Sequence, residues 1–353
     1  VKILLLDLGK QLRGGQRQVH YLARHLSQEA GFEPIIAAPK GAPLLDLAES
    51  AGIPTHTLVS SSDLNPINVI SFFKLLKQVK PDIVHTNDAK GASLAALAKT
   101  SGKARFKLVH TRRVSYKFKK GWSTKKYLAG DAVVGVSREI QKNMVQCGVE
   151  QSRSRAIHSG IDLSRYTTEK LPNDLLTIGT IGALTKQKGI RVLLDALKEL
   201  KKDDTLPAWQ CIIAGDGPLM KELQERAHSN EINDRILFLG YKDSREILQR
   251  IDILAVPSVD GEGSNAVIKE GWATGTPLVS SNLASNLELV TGGQNGLVFA
   301  NRDSLALASA LKSLMTSKTT ANKIRKGGFE SVRAFTDKAM AEQYVSLYRE
   351  LVR

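Results

Sequence analysis

Two glutamates, Glu262 and Glu270, flank a turn of small residues in the stretch Asp260-Gly-Glu-Gly-Ser-Asn-Ala-Val-Ile-Lys-Glu-Gly271. Eight steps along an ideal helix rotate a side chain by about 80°, so an unbroken helix would not aim both carboxylates at one ligand. Both can face it if Glu262 sits on the loop and Glu270 lies a turn or two inside the helix that follows. The backbone N–H groups of Ser264, Asn265 and Ala266 then lie between them, at a helix start where an anion is favoured.

Further glycine-rich turns stand where an apolar run meets an amphipathic one: Gly14-Gly15, Gly182 with Gly189, Gly215-Asp-Gly217, and Gly261 with Gly263. Glycine there permits close backbone approach to a ligand. The dinucleotide fingerprint G-x-G-x-x-G and the P-loop pattern are both absent. Histidines and cysteines do not cluster at zinc spacings, no Gly-x-Ser-x-Gly hydrolase elbow occurs, and Asp260-Gly-Glu262 is the nearest approach to an Asp-x-Asp metal pair.

Those turns need a scaffold. A chain of 353 residues exceeds what one core usually serves, so two domains are expected. Short apolar strands alternate with Gly turns and amphipathic helices, the pattern of parallel α/β sheets. "VKILLLDLG", "PIIAAP", "PDIVHTN", "KLVHT" and "DAVVGVS" read as strands of a first series, with "LRGGQ" as a loop and a helix over Val19 to Gln28. "LTIGTIGAL", "WQCIIAGDGP", "RILFLG", "ILAVPS", "PLVSS" and "GLVFA" form a second series, with a helix from Ile190 to Lys202. The polar piece 167–174 is the expected linker, giving domains 1–168 and 169–336, each a doubly wound Rossmann-like sheet. A last amphipathic helix, 337–353, has no strand after it and is expected to pack back on the first domain. Ligands of such sheets bind at the carboxyl ends of the strands.

The net charge of +15 is not evenly spread. Residues 1–165 hold 26 basic and 12 acidic side chains; the remainder holds 24 and 23. Between Ala89 and Gly130 there are twelve Lys or Arg and no Asp or Glu, which implies an anionic partner or surface. No apolar run approaches the roughly 18 residues needed to cross a bilayer, and no signal peptide is visible. Val1 leads directly into a strand, so the encoded start is expected one Met earlier. Two cysteines, Cys147 and Cys211, are too few for a disulfide framework and are expected as free buried thiols. Together these features point to the cytoplasm.

"GALTKQKG", "AGDGP", "LGYKD", "PSVDGEGSNAVIKEGWATGTPLVSS" and "GLVF" follow one another through the second half. In this order they resemble the retaining glycosyltransferases of family 4, whose GT-B fold sets two Rossmann-like domains across a cleft. Glu262 to Glu270 matches the family's E-x7-E motif. "LRGGQ", "PDIVHTND", "VHTRR", "VGVSREIQKNM" and "IHSGIDLSRY" extend the resemblance over nearly the whole chain. It implies metal-independent transfer, with retention, from a nucleoside diphosphate sugar, UDP-linked by expectation, and no cofactor. Glu270 would accept the ribose hydroxyls, Glu262 would face the transferred sugar, and the amides of Ser264, Asn265 and Ala266 would hold the diphosphate, with Gly263 also at the donor. Lys188 would neutralise the departing phosphate, with Gly14, Gly15, Lys186, Gly215 and Tyr241 also around the donor. His110 would approach the sugar, with His85 as its competitor. Relatives often carry Arg where this chain has Ala183, so a second cation is expected from Lys186 or from a basic residue of the first domain, or one cation suffices.

Arg112, Arg113, Lys117, Lys119 and Lys120, with aromatics among them, suit an anionic acceptor or an acidic lipid surface. A glycan or lipid-linked acceptor of lipopolysaccharide type is therefore expected, with peripheral association at the inner face of the cytoplasmic membrane. A nucleic-acid-binding protein would explain the basic half equally well but leaves the Glu262 turn without a purpose. Among enzymes, a GT-B phosphorylase or an inverting transferase would share the same scaffold.

Overall fold

The computed structural model describes residues 1–63, 65–115 and 121–353. The chain divides into two compact units, Val1–Gly160 with Thr336–Arg353, and Ile161–Phe335. The stretch 167–174 thus lies inside the second unit.

The first unit holds a seven-stranded sheet: β1 (Lys2–Leu6), β2 (Glu33–Pro39), β3 (Thr55–Leu58), β4 (Ile83–Thr86), β5 (Lys107–Arg112), β6 (Ala132–Gly135) and β7 (Ser154–Ala156). Their order is β3-β2-β1-β4-β5-β6-β7, all parallel. Because strand side chains alternate between faces, β1 must be apolar on both. Ile3 and Leu5 pack with the helices Gly14–Leu26, Pro43–Ser50 and Asp337–Val352. Leu4 and Leu6 pack with Pro66–Val79 and Ala89–Thr100 on the other side.

The second unit repeats this plan with β8 (Leu176–Ile181), β9 (Trp209–Ala214), β10 (Ile236–Gly240), β11 (Ile253–Val256), β12 (Leu278–Ser281) and β13 (Leu297–Phe299). The order is β10-β9-β8-β11-β12-β13. Here Ile178, Ile213 and Ile253 face one helical layer, and Ile212 and Leu254 the other. In each unit the first strand lies between the second and the fourth, so the chain reverses its direction of travel across the sheet beside β1 and again beside β8. Such switch points open a crevice at the carboxyl edge.

All eleven strands read from the sequence are present. The two it missed, β3 and β7, are short edge strands of mainly polar residues. Helix Gly14–Leu26 begins five residues earlier than the apolar spacing implied, and Gly14 and Gly15 are its first two residues rather than loop. Gln16 accounts for this by accepting the Arg13 backbone N–H at 3.2 Å, closing the first turn.

The C-terminal helix Asp337–Val352 returns to the first unit as expected, and lies against helix Gly14–Leu26. Met340, Ala341, Tyr344, Val345, Leu347 and Tyr348 form its buried stripe. Polar bonds fix it as well: Arg24 and His25 both pair with Asp337, the Tyr348 hydroxyl meets His85 Nδ1 at 2.6 Å, and the Tyr344 hydroxyl meets Thr111 Oγ1 at 2.8 Å. Of the cysteines, Cys211 is buried and Cys147 half-buried; neither is in a disulfide.

Candidate active site

The switch point of the second unit brings the loop after β8 against the loop after β11. Gly189 makes that contact possible. Its φ is +64°, and a Cβ there would lie 2.0 Å from the Pro257 carbonyl oxygen, a distance no side chain tolerates. Val259 N–H donates to the Gln187 carbonyl at 2.7 Å and locks the two loops together. Gly215, after β9, presses equally hard from the other side, where a Cβ would stand 1.8 Å from the Gly182 carbonyl oxygen.

Within this frame Lys188 Nζ donates to Glu262 Oε1 at 2.6 Å. Ser258 Oγ donates to the same oxygen at 2.6 Å, and Ser281 Oγ in turn holds the Ser258 carbonyl at 2.5 Å. The side chains of Lys188 and Glu262 are 26% and 11% exposed, so the pair is shielded yet reachable.

Glu262 lies on the loop, and helix Ala266–Ala273 begins four residues later, placing Glu270 in its second turn. Asn265, its N-cap, makes no side-chain bond to the first-turn amides. Glu270 is half-buried; burial pushes its pKa up, against hydrogen bonds from Ser244 and Tyr166 and the charge of Arg165. Gly263 is buried and Ser264 half-buried. Lys186 is exposed, and its charge acts on Glu222. Tyr241, after β10, is 83% exposed. The second unit therefore gathers Lys188, Glu262 and the amides of the helix start, with Glu270 farther along the same helix.

At the corresponding edge of the first unit lie residues that the spacing did not single out. Asp7, at the end of β1, is fully buried; its Oδ1 accepts from Gln16 Nε2 at 2.9 Å and from Gly9 N–H at 2.8 Å. Asp88 caps helix Ala89–Thr100, accepting the N–H groups of Lys90, Gly91 and Leu8. Burial, with Asp7 nearby, pushes its pKa up to about 6. Asp88 also lines a cavity of about 520 Å³, with Gly9, Lys10, Arg13, Gln16 and Lys90. Polar residues directly after buried strands, as in "LLLDLG" and "VHTND", were the available signal.

His85 and His110 are both fully buried. His85 is bonded on both ring nitrogens, to Tyr348 and Thr111, and so ties the C-terminal helix to the sheet. His110 Nδ1 meets Thr86 Oγ1 at 2.6 Å, and burial pushes its pKa down to about 3. It is a neutral ring, not a cation.

The described members of the twelve-cation run do not form one surface, which corrects the expectation for Arg112 and Arg113. Lys107 and Arg112 stand at opposite ends of β5, about 16 Å apart at the usual strand rise. Arg112 is buried, its guanidinium 5.7 Å from the Tyr127 ring centre. Arg113 is half-buried beside Gly15, with Nη1 on Ser159 and Nη2 on Asn87. Lys126 is buried with its ammonium on the Ala89 carbonyl, and Lys99 is paired with Asp131. Lys117, Lys119 and Lys120 lie outside the described residues. Among the described residues no group of three His, Cys, Asp or Glu could hold a metal ion.

Two parallel sheets of this order, the second with a crowded glycine loop at its switch point, define the GT-B fold class. Residues 12–165 match the model described as Glycosyltransferase Family 4 and residues 175–317 that described as Glycosyl transferases group 1; the chain belongs to glycosyltransferase family 4. It is 25% identical to the UDP-Gal:alpha-D-GlcNAc-diphosphoundecaprenol alpha-1,3-galactosyltransferase of Escherichia coli, over 93% of each chain. It is 26% identical to the lipopolysaccharide core biosynthesis glycosyltransferase LpsE of Rhizobium meliloti, over half of each chain. The chain spans about half the length of several of the relatives it matches. Among solved structures, Anabaena Alr3699/HepE in complex with UDP has the same fold, with a TM-score of 0.85, 20% identity, and 99% of this chain and 100% of that one covered.

Proposed function

We propose that this protein is a retaining, metal-independent glycosyltransferase that moves a sugar from a UDP-linked donor to a glycan or lipid-linked acceptor. The observation that carries the reading is the Lys188–Glu262 pair beside the uncapped start of helix Ala266–Ala273. The amides of Gly263, Ser264, Asn265 and Ala266 bind the diphosphate, and Glu270 takes the ribose hydroxyls. Lys188 offsets the charge that grows on the leaving phosphate, a role whose loss typically costs about 10² to 10³ in rate. Glu262 holds Lys188 and orients the sugar hydroxyls. Gly14, Gly15, Lys186, Gly215 and Tyr241 border the donor, whereas His110, expected to approach the sugar, is fully buried against Thr86 and Tyr127 and has a structural role.

In the reaction the bond from the anomeric carbon to the phosphate oxygen breaks while the acceptor oxygen bonds to that carbon from the same face. The acceptor proton passes to the departing phosphate, so no enzymic nucleophile is consumed. The first unit binds the acceptor. The names of the relatives favour a lipid-linked or lipopolysaccharide-type acceptor. Among the described residues no helix is long and apolar enough to cross a membrane. The proposed docking is peripheral, at the inner face of the cytoplasmic membrane, with Lys117, Lys119 and Lys120 contributing.

Incubating the protein with UDP-, GDP- and ADP-sugars and following thermal stabilisation and nucleotide release tests the donor. Stabilisation by a UDP-sugar is expected, and no response to any sugar nucleotide would end the reading. A salt-sensitive gel shift without sugar-nucleotide binding would favour a nucleic-acid-binding protein instead.

A further inference from the structure

The cavity of the first unit lies between the loop after β1 and the start of helix Ala89–Thr100 after β4, beside the point where the strand order β2-β1-β4 reverses the chain's direction across the sheet. Open α/β sheets bind ligands at such points, and a volume of about 520 Å³ falls within the roughly 300–1,000 Å³ of small-molecule sites. Its walls are tied from beneath. Buried Asp7 accepts the Gly9 N–H at 2.8 Å and Gln16 Nε2 at 2.9 Å, while Gln16 Oε1 accepts the Arg13 N–H at 3.2 Å. Asp88 accepts the Leu8 N–H at 3.1 Å. Both loops are therefore held in place before a ligand arrives, which lowers the cost of binding one.

The lining carries charge of both signs. Lys10, Arg13 and Lys90 are exposed at its rim, and none of them forms an ion pair among the described residues. Asp88 is the one acid of the described lining and is half-buried. Its carboxylate already takes the N–H groups of Lys90 and Gly91, so the helix start is not open to an anion from outside. A simple anion would meet Asp88 as well as the cations, and a neutral sugar would leave the cations without a counter-charge. Carboxylates accept and lysine and arginine donate, so hydroxyls suit the floor and an anionic group the rim.

Resting on the glycosyltransferase reading, we infer that this cavity takes the acceptor and that the acceptor is a phosphorylated sugar, with Asp88 accepting a sugar hydroxyl and Lys10, Arg13 and Lys90 binding the phosphate. A soluble sugar phosphate and the head of a lipid-linked sugar share this chemistry. The three cations set which acceptors are bound and take no part in breaking the donor bond.

Calorimetric titration of the full chain tests this with UDP, inorganic phosphate, free glucose, galactose, mannose and N-acetylglucosamine, and the 1-phosphate of each sugar. At least one sugar phosphate is expected to bind about 5- to 25-fold more tightly than its free sugar, the reach of two or three exposed ion pairs. The double variant Lys10→Ala, Lys90→Ala should remove most of that advantage and leave UDP affinity unchanged; both lysines are exposed, so the fold is kept. Asp88→Asn retains a helix-capping residue and should weaken the sugar phosphate about 3- to 10-fold without weakening inorganic phosphate; an equal loss of both overturns the role of Asp88. Esterifying the sugar phosphate to a dodecyl chain separates the sources: tighter binding than the soluble ester points to a lipid-linked acceptor, and anything else to a soluble one. If no sugar phosphate binds more tightly than its free sugar, or the lysine variant weakens UDP as much as the sugar phosphate, the inference falls and the glycosyltransferase reading stands. A protein that binds sugar phosphates here but no sugar nucleotide overturns that reading instead.

Discussion

Lys188 and Glu262 are 74 residues apart in sequence and 2.6 Å apart in space, joined because the loops after β8 and β11 meet at a switch point. Each holds the other in place: the carboxylate fixes the ammonium that a leaving phosphate needs, and Ser258 fixes the carboxylate.

Glu262→Ala and Lys188→Ala are therefore expected to lower transfer by about 10² to 10³. The double variant should be little worse than either single one, since the two act as a unit. Initial rates with a UDP-sugar, alongside circular dichroism for folding, check this; additive losses would separate the two residues.

Glu270→Ala is expected to act differently. It should raise the KM for donor more than it lowers kcat, because the residue serves binding rather than leaving-group chemistry. Equal falls in kcat and kcat/KM would contradict that division.

Gly189→Ala should be severe although alanine adds one carbon. The residue has φ +64°, and the new methyl would meet the Pro257 carbonyl, so the loop carrying Lys188 must shift. A lowered melting temperature together with lost activity is expected, whereas Gly41→Ala, also at positive φ but in open space, should cost only stability.

The Asp7–Asp88 neighbourhood predicts a pH dependence. The Asp88 pKa is raised from 3.8 to about 6, by burial first and by Asp7 second. A raised carboxyl favours the folded state when protonated, so its contribution is fully present below 3.8 and is lost as pH rises through about 6. Asp7→Asn removes the neighbouring charge. It should raise the melting temperature at pH 8 by a few degrees and leave it unchanged at pH 3.5, which scanning calorimetry across that range can test.

Tyr348→Phe should destabilise the protein by about 1–3 kcal/mol, since it strands His85 Nδ1 in the interior. Denaturant midpoints measure the loss. Donor affinity should be unchanged, because His85 serves to hold the C-terminal helix.

Several features were legible in the residues alone. Parallel α/β architecture followed from short apolar runs, such as Ile3 to Leu6, that must be buried on both faces. The break between Glu262 on a loop and Glu270 on a helix followed from the rotation per residue and the small residues between them. These depend on local periodicity and backbone sterics, which a linear sequence records.

Long-range packing decided the rest. Arg112 and Lys107 belong to one basic run, yet β5 carries them to opposite edges and buries Arg112 against Tyr127. Nothing local distinguishes Lys269 from the exposed lysines of other helices; only the layers packed around helix Ala266–Ala273 take it out of water. Lys188 meets Glu262 because Gly189 admits the Pro257 carbonyl beside it. Charge and spacing name candidates, but burial and the meeting of distant loops arise only when the sheets and their helical layers close around them.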